Sequence, residues 1–177
     1  MEIEIRPLSS EDLPALTKID HSYHTDYVWQ MAVEQEEGQL SVQFREIKLP
    51  RSMRVDYPWP ETKLAQDWEQ RDGVLVAVHE DIQVGYISIV KSIARPFATI
   101  SDLVVIRRSR RQGIGTALLK AAAQWLAQQG VNHLQLEMQS KNHPAISMAK
   151  KLGYEYCGYS DQYYPNLDIA LFFVKRI

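Results

Sequence analysis

Apolar and polar positions alternate from the start of the chain: Ile3 and Ile5 stand among Glu2, Glu4 and Arg6, the period of a half-buried strand that Pro7 stops. The period then lengthens. In SSEDLPALTKID, Leu13, Leu16 and Ile19 recur at helical spacing behind a Ser10 cap. Glu11 and Asp12 suit the positive end of that helix, which is expected to reach Asp20 to Ser22. Two strand-like runs, VWQMAVE and LSVQFREIKL, flank EEGQ and predict a hairpin turning at Gly38, and Pro50, Pro58 and Pro60 predict a loop after it. LAQDWEQ reads as a short helix. VLVAVHEDIQVGYISIV reads as a second hairpin turning around Asp81.

Ala98 to Ile106 forms a further strand, after which the pattern turns helical: Ile114, Leu118, Ala122 and Trp125 share a face, and Gly130 is placed to end it. HLQLEMQ alternates again. HPAISMAKKLG is a short helix with Pro144 in its first turn and Gly153 at its end, and YEYCGY and DIALFFVKRI are closing strands. This order predicts an α/β fold, a mixed and mostly antiparallel sheet with few helices, in one domain over residues 1–177. No internal repeat or low-complexity tract appears.

Charge narrows the function. With 20 Lys and Arg against 22 Asp and Glu the formal net charge is −2, so no global field would hold the protein on a nucleic acid, and RRSRR at residues 107–111 is a local device. The single cysteine, Cys157, excludes an internal disulfide framework, points to a reducing compartment and is expected to pack in an apolar strand. MEIEIRPL lacks the character of a secretory signal and no apolar run approaches spanning length, so a cytoplasmic protein with no membrane partner is expected.

The stretch RRSRRQGIGTALL places two glycines where a strand runs into a helix, a geometry that aims backbone N–H groups and the positive helix end at one point. That point attracts phosphate. No Lys-Ser or Lys-Thr follows the glycines, and Leu118 stands where a third glycine of GxGxxG would fall, which removes two other phosphate motifs. What remains, Arg110-x-x-Gly113-x-Gly115, resembles the acetyl-CoA signature of the GNAT superfamily of N-acetyltransferases. NHPAISMAKKLGYEYCG resembles that family's second motif, and with LQLEMQ between them the likeness covers about residues 84–160.

The resemblance implies a GNAT-type sheet with splayed central strands and acetyl-CoA as cosubstrate, with no metal. Leu103, Val104 and Val105 would pair with the pantetheine arm through their backbone. Arg110, Arg111, Gln112, Gly113, Ile114, Gly115 and Thr116 would hold the pyrophosphate, Asn142 would contact the cofactor, and Lys150 or Lys151 could reach the nucleotide phosphate. Amide formation from a thioester needs a neutral amine, oxyanion stabilisation and a proton for the leaving thiolate, with no covalent enzyme intermediate. The family often supplies that proton from a tyrosine where this chain has Ala149.

CGYSDQYYPN before DIALFF resembles the end of streptothricin acetyltransferases, in which a tyrosine lies seven residues after the cysteine; here it is Tyr164, with Tyr163 as second choice. LTKIDHSYHTDYVW is loosely similar to their N-terminal part. For the base, Glu137 lies on the face of HLQLEMQ opposite Leu134, Leu136 and Met138, where it faces either a substrate cleft or solvent. Asp102 shares the alternation of Ile100, Val104 and Ile106, and a carboxylate among apolar neighbours demands a partner or a function. His21 and His24 lack further ligands and read as surface histidines, while Trp29, Tyr57 and Trp59 either line an acceptor pocket or pack.

The expected reaction is direct acetyl transfer to an amine of a small molecule, with streptothricin-like antibiotics and hence antibiotic resistance as the nearest suggestion. RSMRVDYPWPETK lacks the acidic run that would suit a polycationic drug. A protein N-terminus or lysine as acceptor, and a noncatalytic acyl-CoA-binding module, are the alternatives, and a homodimer is compatible with the sequence.

Overall fold

The computed structural model describes residues 2–177. Its elements follow the chain as β1 (Glu4–Pro7), α1 (Leu13–Leu16), β2 (Tyr23–Glu36), β3 (Gln39–Val55), α2 (Lys63–Asp67), β4 (Gly73–His79), β5 (Ile82–Lys91), β6 (Phe97–Val105), α3 (Ile114–Ala127), β7 (His133–Gln139), α4 (His143–Lys151), β8 (Glu155–Ser160) and β9 (Ala170–Arg176). Seven strands form one sheet in the order β1-β4-β5-β6-β7-β9-β8, and β2 and β3 form a separate ribbon. Within the large sheet β6 and β7 run parallel and the other neighbours antiparallel. This is the mixed, mostly antiparallel α/β sheet that the alternation predicts.

The sheet buries both faces. On one, Ile114, Leu118, Ala122 and Leu126 of α3 and Ile146 and Ala149 of α4 pack against Ile87, Ile89, Ile100, Leu134, Leu136 and Phe173. On the other, Leu16 of α1 and Leu64 of α2 cover Val74, Val76, Val78, Tyr86 and Val104. Two apolar layers around one sheet explain why the central strands read as nearly continuous hydrophobic runs.

Local chemistry sets the turns. Glu80 and Asp81 both take positive φ in the two-residue link between β4 and β5, the demand of a tight hairpin turn that Asp tolerates. A Cβ on Gly85 would come within 2.4 Å of the Val104 carbonyl oxygen, so β5 and β6 approach closely because this residue has none.

Three local expectations change. The first helix is short: a 3-10 turn at Ser10–Asp12 leads into α1, which ends at Leu16. Beyond it the Asp20 carboxylate takes the Ser22 amide at 2.9 Å, and Arg110 captures the carbonyls of Asp20 and Ser22, which turns the chain into β2. Asp12 serves this entry as a buried carboxylate accepting two Arg6 hydrogen bonds at 2.8 Å and one from the Ser9 amide. Second, Pro50 lies inside β3, because the ladder with β2 is interrupted between Thr25↔Met53 and Tyr27↔Lys48; the proline occupies that irregularity, where no ladder amide is needed.

Third, Ser101 is an extra residue in β6: Ser88 faces Asp102 while Ile89 faces Ile100. The bulge reverses the alternation, since each added residue moves all following side chains to the opposite face. Asp102 therefore shares its face with Val104, whereas Leu103, Val105 and Ile106 pack with Ile100. This corrects the simple period-two reading of ISDLVVI.

Candidate active site

The same bulge opens the sheet. β6 pairs with β7 from Phe97↔His133 to Ile100↔Leu136 and no further, while β6 continues against β5 to Val105 and β7 continues against β9 to Gln139. Asp102–Val105 and Glu137–Gln139 are thus facing edges with a gap between them. A cavity of about 150 Å³ occupies it. Beyond the two strands its wall comes from Asn142, Ala145 and Met148 on α4, from Tyr57 and Trp59 after β3, from His21 and Tyr23 at the start of β2, and from Tyr164 before β9.

Because Asp102 is displaced to the other face, it lies on the same side of the sheet as Glu137, away from the α3 layer. Their environments differ. Asp102 accepts from Lys63 Nζ at 2.8 Å and from the Tyr57 hydroxyl. Burial alone would raise its pKa, but the Lys63 charge and hydrogen bond, Tyr57 and Arg71 hold it below the ordinary carboxylate value. It is an anion already matched by a cation.

Glu137 has no ion pair among the described residues. The Tyr163 hydroxyl donates to its Oε2 at 2.9 Å. Burial raises its pKa, the Tyr163 bond pulls in the opposite direction, and the nearby Asp102 charge adds to the rise. A half-buried carboxylate with raised basicity and no fixed counter-charge is suited to attract a cation and take a proton.

Tyr164 is 5% exposed and lines the cavity, as does Met148, whereas Ala149 is buried in the core. Burial, followed by the Glu137 charge, pushes its pKa up, so the phenol stays protonated at neutral pH. Its loop is braced: the Tyr163 and Tyr164 amides both reach the Asp168 carbonyl, and the Asp168 carboxylate binds Lys141 and accepts from Gln139 at 2.9 Å. Gln139 in turn accepts from the Tyr23 hydroxyl at 3.0 Å. The loop and the start of β2 are fixed through one side chain of β7.

At the open end of the gap, Arg111 and Gly113 take positive φ and α3 begins at Ile114. The first-turn amides of Ile114, Gly115 and Thr116 have no carbonyl one turn earlier to bond. A Cβ on Gly113 would meet nothing within 4 Å, so the space above this turn is open, and Arg107, Arg108, Arg111 and Gln112 are exposed around it. These donors and charges fit a pyrophosphate, and the free edge of Leu103, Val104 and Val105 fits an amide-bearing arm leading from it into the cavity. Arg110 is placed differently from its neighbours: its Nε, Nη1 and Nη2 donate to the carbonyls of Val105, Ser22 and Asp20 at 2.8, 2.7 and 2.8 Å. Asn142 caps α4, its Oδ1 accepting from the Ala145 amide at 3.2 Å, and also faces the cavity.

Some expectations shift here. His21 is a wall residue and not a surface one: its ring meets Tyr57 edge-on at 4.3 Å, and burial lowers its pKa. His24 is exposed. Tyr57 and Trp59 line the cavity, whereas Trp29 packs on the core with Lys150 Nζ 4.2 Å from its ring centre, which also occupies that lysine. Cys157 is exposed, an extra residue in an irregular stretch of β8 between Tyr156 and Gly158, and not core packing. Tyr154 is core. Lys63, Gln139 and Met148 are the wall and support residues that sequence reading did not single out; Lys63 carries no local signal, because only the fold brings α2 over Asp102.

Residues 41–154 match the model of the acetyltransferase (GNAT) family. A streptothricin acetyltransferase of Streptomyces lavendulae is 31% identical over 99 residues, 56% of this chain and 52% of that protein. The chain spans about half the length of the curated relatives it matches. Among solved structures, a nourseothricin acetyltransferase superposes with a TM-score of 0.83 at 23% identity over 99% of both chains. A Bacillus anthracis protein assigned as a streptothricin acetyltransferase and solved with acetyl coenzyme A gives 0.78 at 20% identity, over 100% of this chain and 99% of that one. At these identities the solved structures establish the likeness of fold.

Proposed function

The chain belongs to the acetyltransferase (GNAT) family, and from that premise we propose that it transfers the acetyl group of acetyl-CoA to an amine of a small molecule of the streptothricin type, within a ternary complex. One observation carries this reading: Glu137, the cavity carboxylate without an ion pair, stands across the strand gap from the free edge of β6, below the amide cradle of α3.

In this reading Arg111, Gln112, Gly113, Ile114, Gly115 and Thr116 bind the pyrophosphate, and the backbone of Leu103, Val104 and Val105 aligns the pantetheine arm. Glu137 attracts the cationic acceptor and removes one proton from its nitrogen, directly or through water. The neutral nitrogen then forms a bond to the thioester carbonyl carbon as the carbon–sulfur bond breaks, Tyr164 gives its proton to the departing sulfur, and the nitrogen's second proton passes to the Tyr164 phenolate directly or through water, while Glu137 releases the first to solvent. The products are an amide and free CoA thiol. Asp102 stays bound to Lys63 behind it and to the wall residue Tyr57, and takes no proton. Tyr57, Trp59 and Tyr23 present aromatic faces to the acceptor body.

A thiol-release assay with acetyl-CoA tests the reading, using streptothricin, simple alkylamines and N-terminal peptides as acceptors. Turnover with streptothricin or another small amine is expected to exceed that with every peptide by at least about tenfold, a differential transition-state stabilisation of about 1.4 kcal/mol. Release only with peptides would move the assignment to protein acetylation. No binding of CoA in calorimetry would remove it.

A further inference from the structure

Arg110 occupies the first position of the signature whose other members surround the phosphate cradle, yet its guanidinium is turned away from that cradle. Three of its N–H groups end on three carbonyls: Val105 at the end of β6, and Asp20 and Ser22 on either side of His21. Those two carbonyls belong to a segment with little regular structure, between α1 and β2. Besides Arg110, the His21 ring holds it against Tyr57 and Tyr86, and its backbone has few other partners. The Asp20 carboxylate takes the Ser22 amide, and Arg54 approaches Asp20 only at 3.9 Å between exposed groups.

What the segment carries is the cavity wall. His21 lies between the two captured carbonyls, its ring against Tyr57, whose hydroxyl binds Asp102. Tyr23 follows and donates to Gln139, which braces the Tyr164 loop through Asp168. A planar fork bonded to three fixed acceptors costs little further side-chain entropy and locks a direction that a lysine cannot.

The geometry points to Arg110 as a positioning residue for the acceptor wall: it clamps Asp20–Ser22 to the end of β6 so that His21 and Tyr23 stand in the cavity, and phosphate binding falls to its neighbours. The clamp rests on the acetyl-transfer reading only in naming that wall's substrate. As a residue of the pyrophosphate turn it also ties that turn to the acceptor side through these hydrogen bonds, so the two halves of the site share one anchor.

The test replaces the fork while keeping its charge. In folded Arg110→Lys, amide exchange over residues 20–24 should accelerate by at least about tenfold with α3 unchanged. The Kd for CoA should stay within about twofold of the parent, while KM for streptothricin rises about tenfold. The same substitution on a His21→Ala background should add less than about twofold, because the two act as a unit. Parental exchange at residues 20–24 in both Arg110→Lys and Arg110→Gln, or CoA affinity lost with that exchange unchanged, overturns the clamp and makes Arg110 a phosphate ligand.

Should neither variant fold, the parent decides by side-chain nitrogen NMR. A slowly exchanging Arg110 Nε–H whose shift is unmoved by saturating CoA supports the clamp; fast exchange, or a shift that follows CoA, overturns it. A parent that binds no CoA fails the acetyl-transfer reading, while both exchange readouts still test the clamp.

Discussion

The Tyr163 hydroxyl donates to Glu137 Oε2 at 2.9 Å, so a residue of the loop before β9 tunes the basicity of a carboxylate on β7. Burial beside that carboxylate pushes the Tyr163 pKa to about 12, which keeps it a donor throughout any ordinary assay. The bond favours the ionised form of Glu137 and so opposes the rise caused by burial. Tyr163→Phe should therefore raise the Glu137 pKa further. The acid limb of kcat/KM should move to higher pH by about one unit, corresponding to about 1.4 kcal/mol of lost stabilisation of the carboxylate. A pH–rate profile with the limb unmoved would separate Tyr163 from the chemistry.

Glu137→Gln keeps the volume and removes both charge and basicity. Acetyl transfer at neutral pH should fall by roughly 10²- to 10⁴-fold, the usual range for a lost general base. Part should return at higher pH, where more of the acceptor is already neutral. Stopped-flow or steady-state thiol release across the pH range checks it, with CoA affinity as the control; parental rates throughout would leave Glu137 as a wall residue alone.

Much of this arrangement was visible in the order of residues. The Glu80-Asp81 turn, the start of α3 at Ile114 and its stop near Gly130 follow from local rules, and each is where the pattern predicts it. The bulge at Ser101 was not legible, because the adjacent polar residues Ser101 and Asp102 before the apolar run Leu103-Val104-Val105 fit either face, and only the pairing with Ser88 and Ile89 reveals the extra residue. The face of Asp102 depends on that one residue. His21 as a wall residue and Lys63 as the partner of Asp102 were illegible for a related reason: their roles come from long-range contacts with Tyr57 and Asp102, which no spacing encodes.

Tyr164→Phe preserves the ring packing of a side chain that is only 5% exposed while removing its proton. kcat should fall by about 10²-fold or more when transfer limits turnover, with the Kd for CoA unchanged. Asp168→Asn should produce a smaller loss of the same kind by loosening the Lys141 contact that fixes the loop. Unchanged single-turnover rates in Tyr164→Phe would assign the proton to another donor.

The Lys63–Asp102 pair makes a stability prediction independent of substrate. Its side chains are 16% and 6% exposed, so Lys63→Met strands a buried carboxylate at a cost of about 3–5 kcal/mol, measurable by urea unfolding. Asp102 is depressed below its ordinary value of 3.8, so in the parent its contribution is present above about pH 4 and disappears as pH falls through the native pKa. In Lys63→Met the depression loses its main cause and burial takes over, lifting the folded pKa above the unfolded one, so the loss should be full above that pKa and shrink as pH falls through it and the stranded carboxylate takes up a proton. The double variant Lys63→Met/Asp102→Asn should recover part of the loss. Equal stability of Lys63→Met and the parent at pH 7 would contradict this account.

Gly113 separates charge from backbone strain at the α3 cradle. Its φ is +86° and no atom lies within 4 Å of where a Cβ would be, so a side chain there meets a conformational cost and no clash. Asparagine tolerates this left-handed conformation better than most residues, and aspartate adds a negative charge to nearly the same shape. Gly113→Asn should bind CoA within about threefold of the parent, whereas Gly113→Asp should weaken it by at least about tenfold through repulsion of phosphate. The difference should shrink as salt is raised, because the added charge is exposed and screened. Calorimetry on both variants at two ionic strengths decides the matter: parental affinity in both would place the pyrophosphate elsewhere, and equal losses in both would make the turn's conformation the determinant, with no role for its charge.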